Sequence, residues 1–193
     1  MAWQAHGDAI VALRRAAGAP ITRDDDDVHG THFVATDGTG PLAAVRITFA
    51  SRSALDFEPL LAAPIPMPAR GEFVAASRFA VARHAGRAVV GLLRALIRAS
   101  WLHAWPLGAR VALLAAPDRL VPVYRRVIGA VPLGPACTHP RTGRHVRLMV
   151  ALPAPQRGGV IDDIVDRLPG PRVSTLALAY LDALDGQHAA ATP

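Results

Sequence analysis

The segment that most constrains this chain is Ser77-Arg78-Phe79-Ala80-Val81, followed at once by Arg83-His84-Ala85-Gly86-Arg87-Ala88. Alternating residues from 72 to 81 predict a strand, and the basic, glycine-bearing turn opens a helix that runs from about 87 to 103. Val89, Leu93, Leu96, Ile97 and Ser100 share one face of that helix, while Arg87, Arg94 and Arg98 line the other. A strand handed directly to an amphipathic helix requires a sheet for that helix to cover. The junction also has chemical content. Free backbone N–H groups and positive dipole character make a helix N-terminus a ready site for anions, phosphates above all. Gly86 would let a pyrophosphate approach the backbone, and Ala88 would let the helix pack closely. The plainer reading of the same residues is an ordinary loop, with His84 exposed in it.

Around this unit the chain alternates elements. Residues 3–17 read as a helix with Trp3, Ile10, Leu13 and Ala17 on one side and Gly18 as its stop. An acidic loop, Arg23-Asp24-Asp25-Asp26-Asp27, precedes β segments at 32–36 and 42–49 that flank a hairpin signal, Asp37-Gly38-Thr39-Gly40. Residues 59–71 carry Pro59, Pro64, Pro66, Pro68 and Gly71 and read as a loop without a regular element. Strands at 111–115 and 144–152, a helix at 118–127 and a strand or turn at 129–133 follow. Two amphipathic helices close the chain, one with Ile161, Ile164, Val165 and Leu168 inward, the other with Val173, Leu176, Tyr180, Leu181 and Leu184 inward and ending near Gly186. This order predicts an α+β fold with a sheet of mixed direction.

Composition excludes several classes. With 51% hydrophobic and 19% charged residues over 193 positions, the chain has enough apolar material for one folded domain and is not a disordered polymer. All 21 basic residues are Arg, with no Lys or Asn, a bias that discounts the basic balance as a functional signal. The net charge of +6 still favours acidic partners. Nucleic acid is not expected, because the arginines are scattered and no basic run interleaves with aromatics. The single Cys137 allows no internal disulfide and fits a reducing cytosol. Arg94 and Arg98 interrupt the most apolar helix, so no membrane span and a cytoplasmic protein are expected. His29 and His32 have an HxxH spacing without further ligands nearby, so no metal is expected.

The order of elements resembles the GNAT acyltransferases, in which the basic turn grips the pyrophosphate of acyl-CoA or the phosphopantetheine arm of an acyl carrier protein. The segment Leu120 to Gly129 is similar to the GNAT stretch in which a tyrosine helix precedes a strand. That likeness implies Tyr124 as the proton donor to the departing thiolate; the plainer alternative is a half-buried core tyrosine. The N-terminal half narrows the resemblance. Asp24-x-x-Asp27, then His32-Phe33-Val34-Ala35, Gly40, Val45-Arg46-Ile47-Thr48 and Ser77-Arg78-Phe79 look like the autoinducer synthases and N-acyl amino acid synthases, over roughly residues 20–152. The resemblance implies that Asp24, Asp27, Arg46 and Arg78 line a pocket for an amine substrate. The family motif carries Glu two residues before Ser77, where this chain has Ala75; Glu72 is the nearest carboxylate.

The expectation is therefore one GNAT-like domain over residues 1–193, with a core at about 20–152 and a helical extension at 157–187 that packs on it or forms a homodimer surface. Its sheet would be mixed, mostly antiparallel and flanked by helices. The resemblance implies N-acyl transfer from acyl-CoA or an acyl carrier protein to the amine of an amino acid or similar metabolite. Phe79, Ala80 and Val81 would steady the oxyanion, and Arg83, Gly86, Arg87 and Ala88 would hold the phosphates. Tyr124 would protonate the thiolate, and Glu72, or water held by Asp24 and Asp27, would serve as base. The apolar 59–71 loop would wall an acyl cleft or simply be pinned at the surface. Arg87, Arg94 and Arg98 would suit an acidic carrier protein. The loss of a carboxylate at Ala75 leaves two alternatives: a catalytically impaired thioester-binding or regulatory domain, or a small-molecule acetyltransferase using acetyl-CoA.

Overall fold

The computed structural model of the protein describes residues 2–20, 22–152 and 173–190. Strands β1 (Thr31–Thr36), β2 (Pro41–Phe49), β3 (Phe73–Val81), β4 (Val111–Ala116), β5 (Val131–Thr138) and β6 (His145–Ala151) form one sheet. Their order is β1-β2-β3-β4-β6-β5, and every neighbouring pair is antiparallel except the parallel pair β3–β4. The helices are α1 (Ala2–Ala16), α2 (Val89–Ala104), α3 (Val121–Ile128) and α4 (Thr175–Ala190). This is the expected mixed, mostly antiparallel sheet. Among the described residues no helix is long and apolar enough to cross a membrane.

Strand alternation divides the core between the two faces of the sheet. Val74, Ala112, Leu114 and Met149 project to the face covered by α2, where Leu93, Ile97 and Trp101 bury against them. Phe73, Ala75, Leu113 and Val150 project to the opposite face, under Ala177, Tyr180, Leu181 and Leu184 of α4. On that same side Ile10 and Leu13 of α1 pack on Ala44 and Ala80. The stripe read for α2 is thus the buried one from Leu93 to Ser100, with Val89 half-buried; Arg94 and Arg98 on its outer face are exposed, as is Arg87 in the turn before the helix.

Three expectations shift. The 59–71 segment contains 3₁₀ turns, at Glu58–Leu60 and Met67–Glu72, and Leu61, Ile65 and Ala69 are buried beneath α4. The Tyr180 hydroxyl donates to the Ala63 carbonyl at 2.7 Å, which pins this loop to the helix. In α4 the buried position is Ala177, whereas Leu176 is exposed, and the helix continues past Gly186 to Ala190. At the sheet edge, β5 extends through Gly134 and Pro135, with an irregular register between Leu133 and Ala136. An edge strand tolerates proline because one side of its backbone has no partner to bond. The other expected C-terminal helix, around Ile161 to Leu168, lies outside the described residues.

Candidate active site

The site originates in an irregularity of β3. Ala44 pairs with Ala80 but Arg46 pairs with Ser77, so Arg78 and Phe79 stand opposite the single residue Val45. This is a β-bulge, which bends the strand and re-aims its side chains. Arg78 takes φ = +55°, the one positive value at a non-glycine position among the described residues. Such strain persists only where the surroundings over-determine it, and it gathers at functional sites. The parallel β3–β4 ladder joins Phe73–Ala75 to Val111–Leu113 and stops there. Beyond it the strands part around a cleft of about 250 Å³. Ala76, Ser77, Arg78 and Phe79 form one wall, Leu114, Ala115 and Pro117 the other, and Tyr124 reaches in from α3. The Ala82 N–H is donated to Leu42 of β2 at 2.7 Å. Alternation then turns the N–H group of Val81, between Ala80 and Ala82, away from β2 and toward the parted side.

Arg78 belongs to a buried ionic cluster built from five separate segments. Asp27 accepts from Arg14 of α1, with both oxygens 2.9 Å from Nη1, and from Arg46 Nη1 at 3.1 Å. Asp24 accepts from Arg46 and from Arg78 Nε, the latter at 2.9 Å. Asp56 approaches Arg78 Nη2 at 3.2 Å and Arg46 Nη2 at 3.6 Å. Three carboxylates face three guanidinium groups, all with side chains at most 8% exposed. Burial alone would raise the Asp24 carboxyl, but Arg46 and Arg78 outweigh it and hold it below the usual carboxylate range. Gly30 makes room for this packing, since a Cβ there would lie 2.6 Å from the Arg46 stem. The sequence matches to Asp24, Asp27, Arg46 and Arg78 therefore do converge, but only Arg78 of the four lines the cleft.

Other anticipated residues fall differently. Glu72 does not line the cleft; its Oε2 accepts the Ser174 N–H at 2.8 Å, and Ser174 Oγ in turn accepts the Ala177 N–H at 3.1 Å. Docking of α4 thus occupies the carboxylate offered as a base with a helix N-terminus, where negative charge is favoured. Tyr124 is half-buried at the cleft, and burial pushes its phenol up to about 12. The turn Arg83–Ala88 is a 3₁₀ segment in which Gly86 adopts φ 51°, ψ −122°, a conformation that favours glycine. It continues the β3 wall without lining the enclosed cleft, and Arg83 Nε donates to the Ala16 carbonyl at 3.1 Å. Phe79 lines the cleft, Ala80 is buried against α1, and Val81 packs toward α2. His32 is buried, with Nε2 3.0 Å from the Asp27 carbonyl and Nδ1 3.4 Å from Arg14 Nη2, so it serves the cluster.

Sequence reasoning missed Arg14, Asp56 and His139. Arg14 lies four residues after Ile10 and next to Leu13, on the buried stripe of α1, and that position was its signal. Asp56 and His139 sit in irregular segments and carry no local signal. Small voids adjoin the cleft on its inner side. Two apolar cavities of about 30 and 20 Å³ lie between the sheet and α2. Ala76 and Leu114 line both cavities and the cleft itself.

Several solved structures share this architecture. An apo crystal structure of TofI is similar with a TM-score of 0.62 and 22% identity, covering 82% of this chain and 90% of that one. The autoinducer (AHL) synthase LasI matches with a TM-score of 0.63 and 14% identity, covering 86% and 92%. FeeM, an N-acyl amino acid synthase from uncultured soil microbes, matches with a TM-score of 0.60 and 14% identity, covering 77% and 85%. At these identities the likeness shows the fold, the GNAT-like one. A comparison with curated protein sequences finds no match. The family model for the N-acyl amino acid synthase FeeM matches residues 7–151, three-quarters of the sequence and all six strands. The chain belongs to the FeeM N-acyl amino acid synthase family and is an acyltransferase.

Proposed function

We propose that this enzyme moves a medium or long acyl chain from a thioester, acyl-CoA or acyl carrier protein, to the amine of an amino acid. The observation that carries this reading is that the parted β3–β4 cleft shares Ala76 and Leu114 with two small apolar cavities beneath α2. Apolar linings of this kind suit alkyl carbons rather than polar groups, while the cleft mouth has the polar groups that a thioester and an amine require. An acetyl group would leave the cavities unused. The exposed arginines of α2 favour a carrier protein, whose surface is acidic.

In this mechanism the acceptor ammonium loses one proton to solvent and the free amine attacks the thioester carbonyl. Backbone N–H groups at Phe79 to Val81 bond the developing oxyanion. As the C–N bond forms and the C–S bond breaks, Tyr124 gives its hydroxyl proton to the sulfur. The second proton leaving the nitrogen restores the phenol. A phenol raised to about 12 is protonated at neutral pH, as a donor must be. The turn at Arg83–Ala88, beyond the enclosed cleft, receives the donor's phosphates at the start of α2. The whole chain acts as one catalytic domain.

Ala75 favours a second reading, a thioester-binding protein without turnover, because no carboxylate projects from that position. Incubation with acyl-CoAs or acyl carrier protein of graded chain length and pooled L-amino acids separates the two. Thiol release that depends on the amino acids supports catalysis. Donor binding without release supports the alternative.

A further inference from the structure

Asp56 is the one carboxylate of the buried cluster that reaches the cleft, and it is under-used. Its side chain is 3% exposed, yet Oδ2 accepts no hydrogen bond, although guanidinium nitrogens of Arg78 and Arg46 lie 3.2 and 3.6 Å away. Asp24 and Asp27, by contrast, have their oxygens filled by Arg14, Arg46, Arg78 and a backbone N–H. On the same sheet face as Arg46, and opposite Ala75, the buried Thr48 hydroxyl also has no partner. Unmade acceptors this deeply buried carry a cost comparable to a lost hydrogen bond, and an N–H donor entering the cleft would remove it. The rest of the cleft supplies the opposite charge. Arg119 and Arg144 line it, and no carboxylate among the described residues holds either guanidinium. His139 also lines it, and with Nδ1 accepting the Arg141 N–H at 3.2 Å, its Nε2 carries the ring proton and can donate.

Resting on the acyl-transfer reading above, we propose that Asp56 receives the amine of the acceptor, with Arg144, Arg119 and His139 receiving the carboxylate of the same molecule. The acceptor amino acid is then held by both of its charged ends, as a zwitterion. Asp24, Asp27 and Arg46 act through another residue: Asp24, itself held by Arg46 and Asp27, grips Arg78 and so fixes the wall against which Asp56 packs. The acceptor's N–H groups complete Oδ2, and its position against β3 sets the nitrogen beside the parted strands where the thioester carbonyl lies.

Equilibrium dialysis against the twenty L-amino acids, with retained species identified by mass spectrometry, tests this without requiring turnover. The wild type is expected to retain at least one free amino acid and to reject its N-acetyl and decarboxylated forms. Asp56→Asn, which keeps the side-chain shape, is expected to weaken that retention at least tenfold while the chain stays folded by circular dichroism. If Asp56→Asn does not fold, the wild-type comparison of free against N-acetylated amino acid still decides. Equal retention by Asp56→Asn, equal retention of the N-acetyl form, or no retention by the wild type would overturn the assignment. Retention without thiol release from any donor would leave Asp56 in place and count against the transfer reaction instead.

Discussion

Replacing Asp27 by Asn gives the sharpest test of the buried cluster. Asp27 is fully buried, accepts from Arg14 at 2.9 Å and Arg46 at 3.1 Å, and closes the Asp24 backbone N–H at 3.1 Å. The amide keeps the shape but removes one of three negative charges, leaving three guanidinium groups against two carboxylates. Breaking a buried pair by removing one partner costs about 3–5 kcal/mol, because the remaining charge stays desolvated. For a chain of this size each kcal/mol moves Tm by about 2–4 °C, so a fall of roughly 6–20 °C is expected. Thermal unfolding followed by circular dichroism at pH 7 reads it. The paired variant Asp27→Leu with Arg14→Met removes one charge of each sign and should recover at least half of that loss. An Asp27→Asn protein within about 2 °C of wild type, or a paired variant no better than the single one, refutes the reasoning.

Three further outcomes follow from the site. Ala76→Leu places three extra carbons at the mouth of the inner cavities; excluding about three methylenes costs roughly 2 kcal/mol, so kcat/KM for long-chain donors should fall about thirtyfold in thiol-release assays while short-chain donors change little. Tyr124→Phe should lower kcat by about a hundredfold or more with KM for the donor little changed, the pattern of a lost proton donor. Burial holds His32 and His139 below the usual histidine value. Below about pH 6.5 the unfolded chain therefore binds protons that the folded one does not, and stability should fall as pH drops from 6.5 toward the folded values. A Tm that is flat or rising from pH 7 to 5.5 contradicts this, and a His32→Gln, His139→Gln variant should show a shallower slope.

Local periodicity carried the fold because each element follows from its own residues. The alternation of 72–81, the stripe of α2 and the Asp37–Gly40 turn are all readable without neighbours, and each appears within a residue or two. The site divides differently. Asp24, Asp27, Arg46 and Arg78 were legible as a set, but which of them meets the cleft depends on the bulge at Arg78, a property of β2–β3 register that no single strand encodes. Glu72 looked available until α4 docked its N-terminus on the carboxylate, a contact across 102 positions. Asp56 lies between Leu55 and Phe57 in an irregular segment, where nothing local separates a surface aspartate from one driven inward by its two buried neighbours.

The central claim, transfer of an acyl group from sulfur to nitrogen, is tested most directly by following the nitrogen. The purified protein is incubated with an acyl thioester and a pool of ¹⁵N-labelled L-amino acids, and products are read by mass spectrometry. The expected result is an amide whose mass contains both the acyl chain and ¹⁵N, formed in proportion to the thiol released and, for long chains, about thirtyfold more slowly in Ala76→Leu. Thiol released with only free fatty acid, or no thiol released from CoA and carrier-protein donors alike, would contradict it.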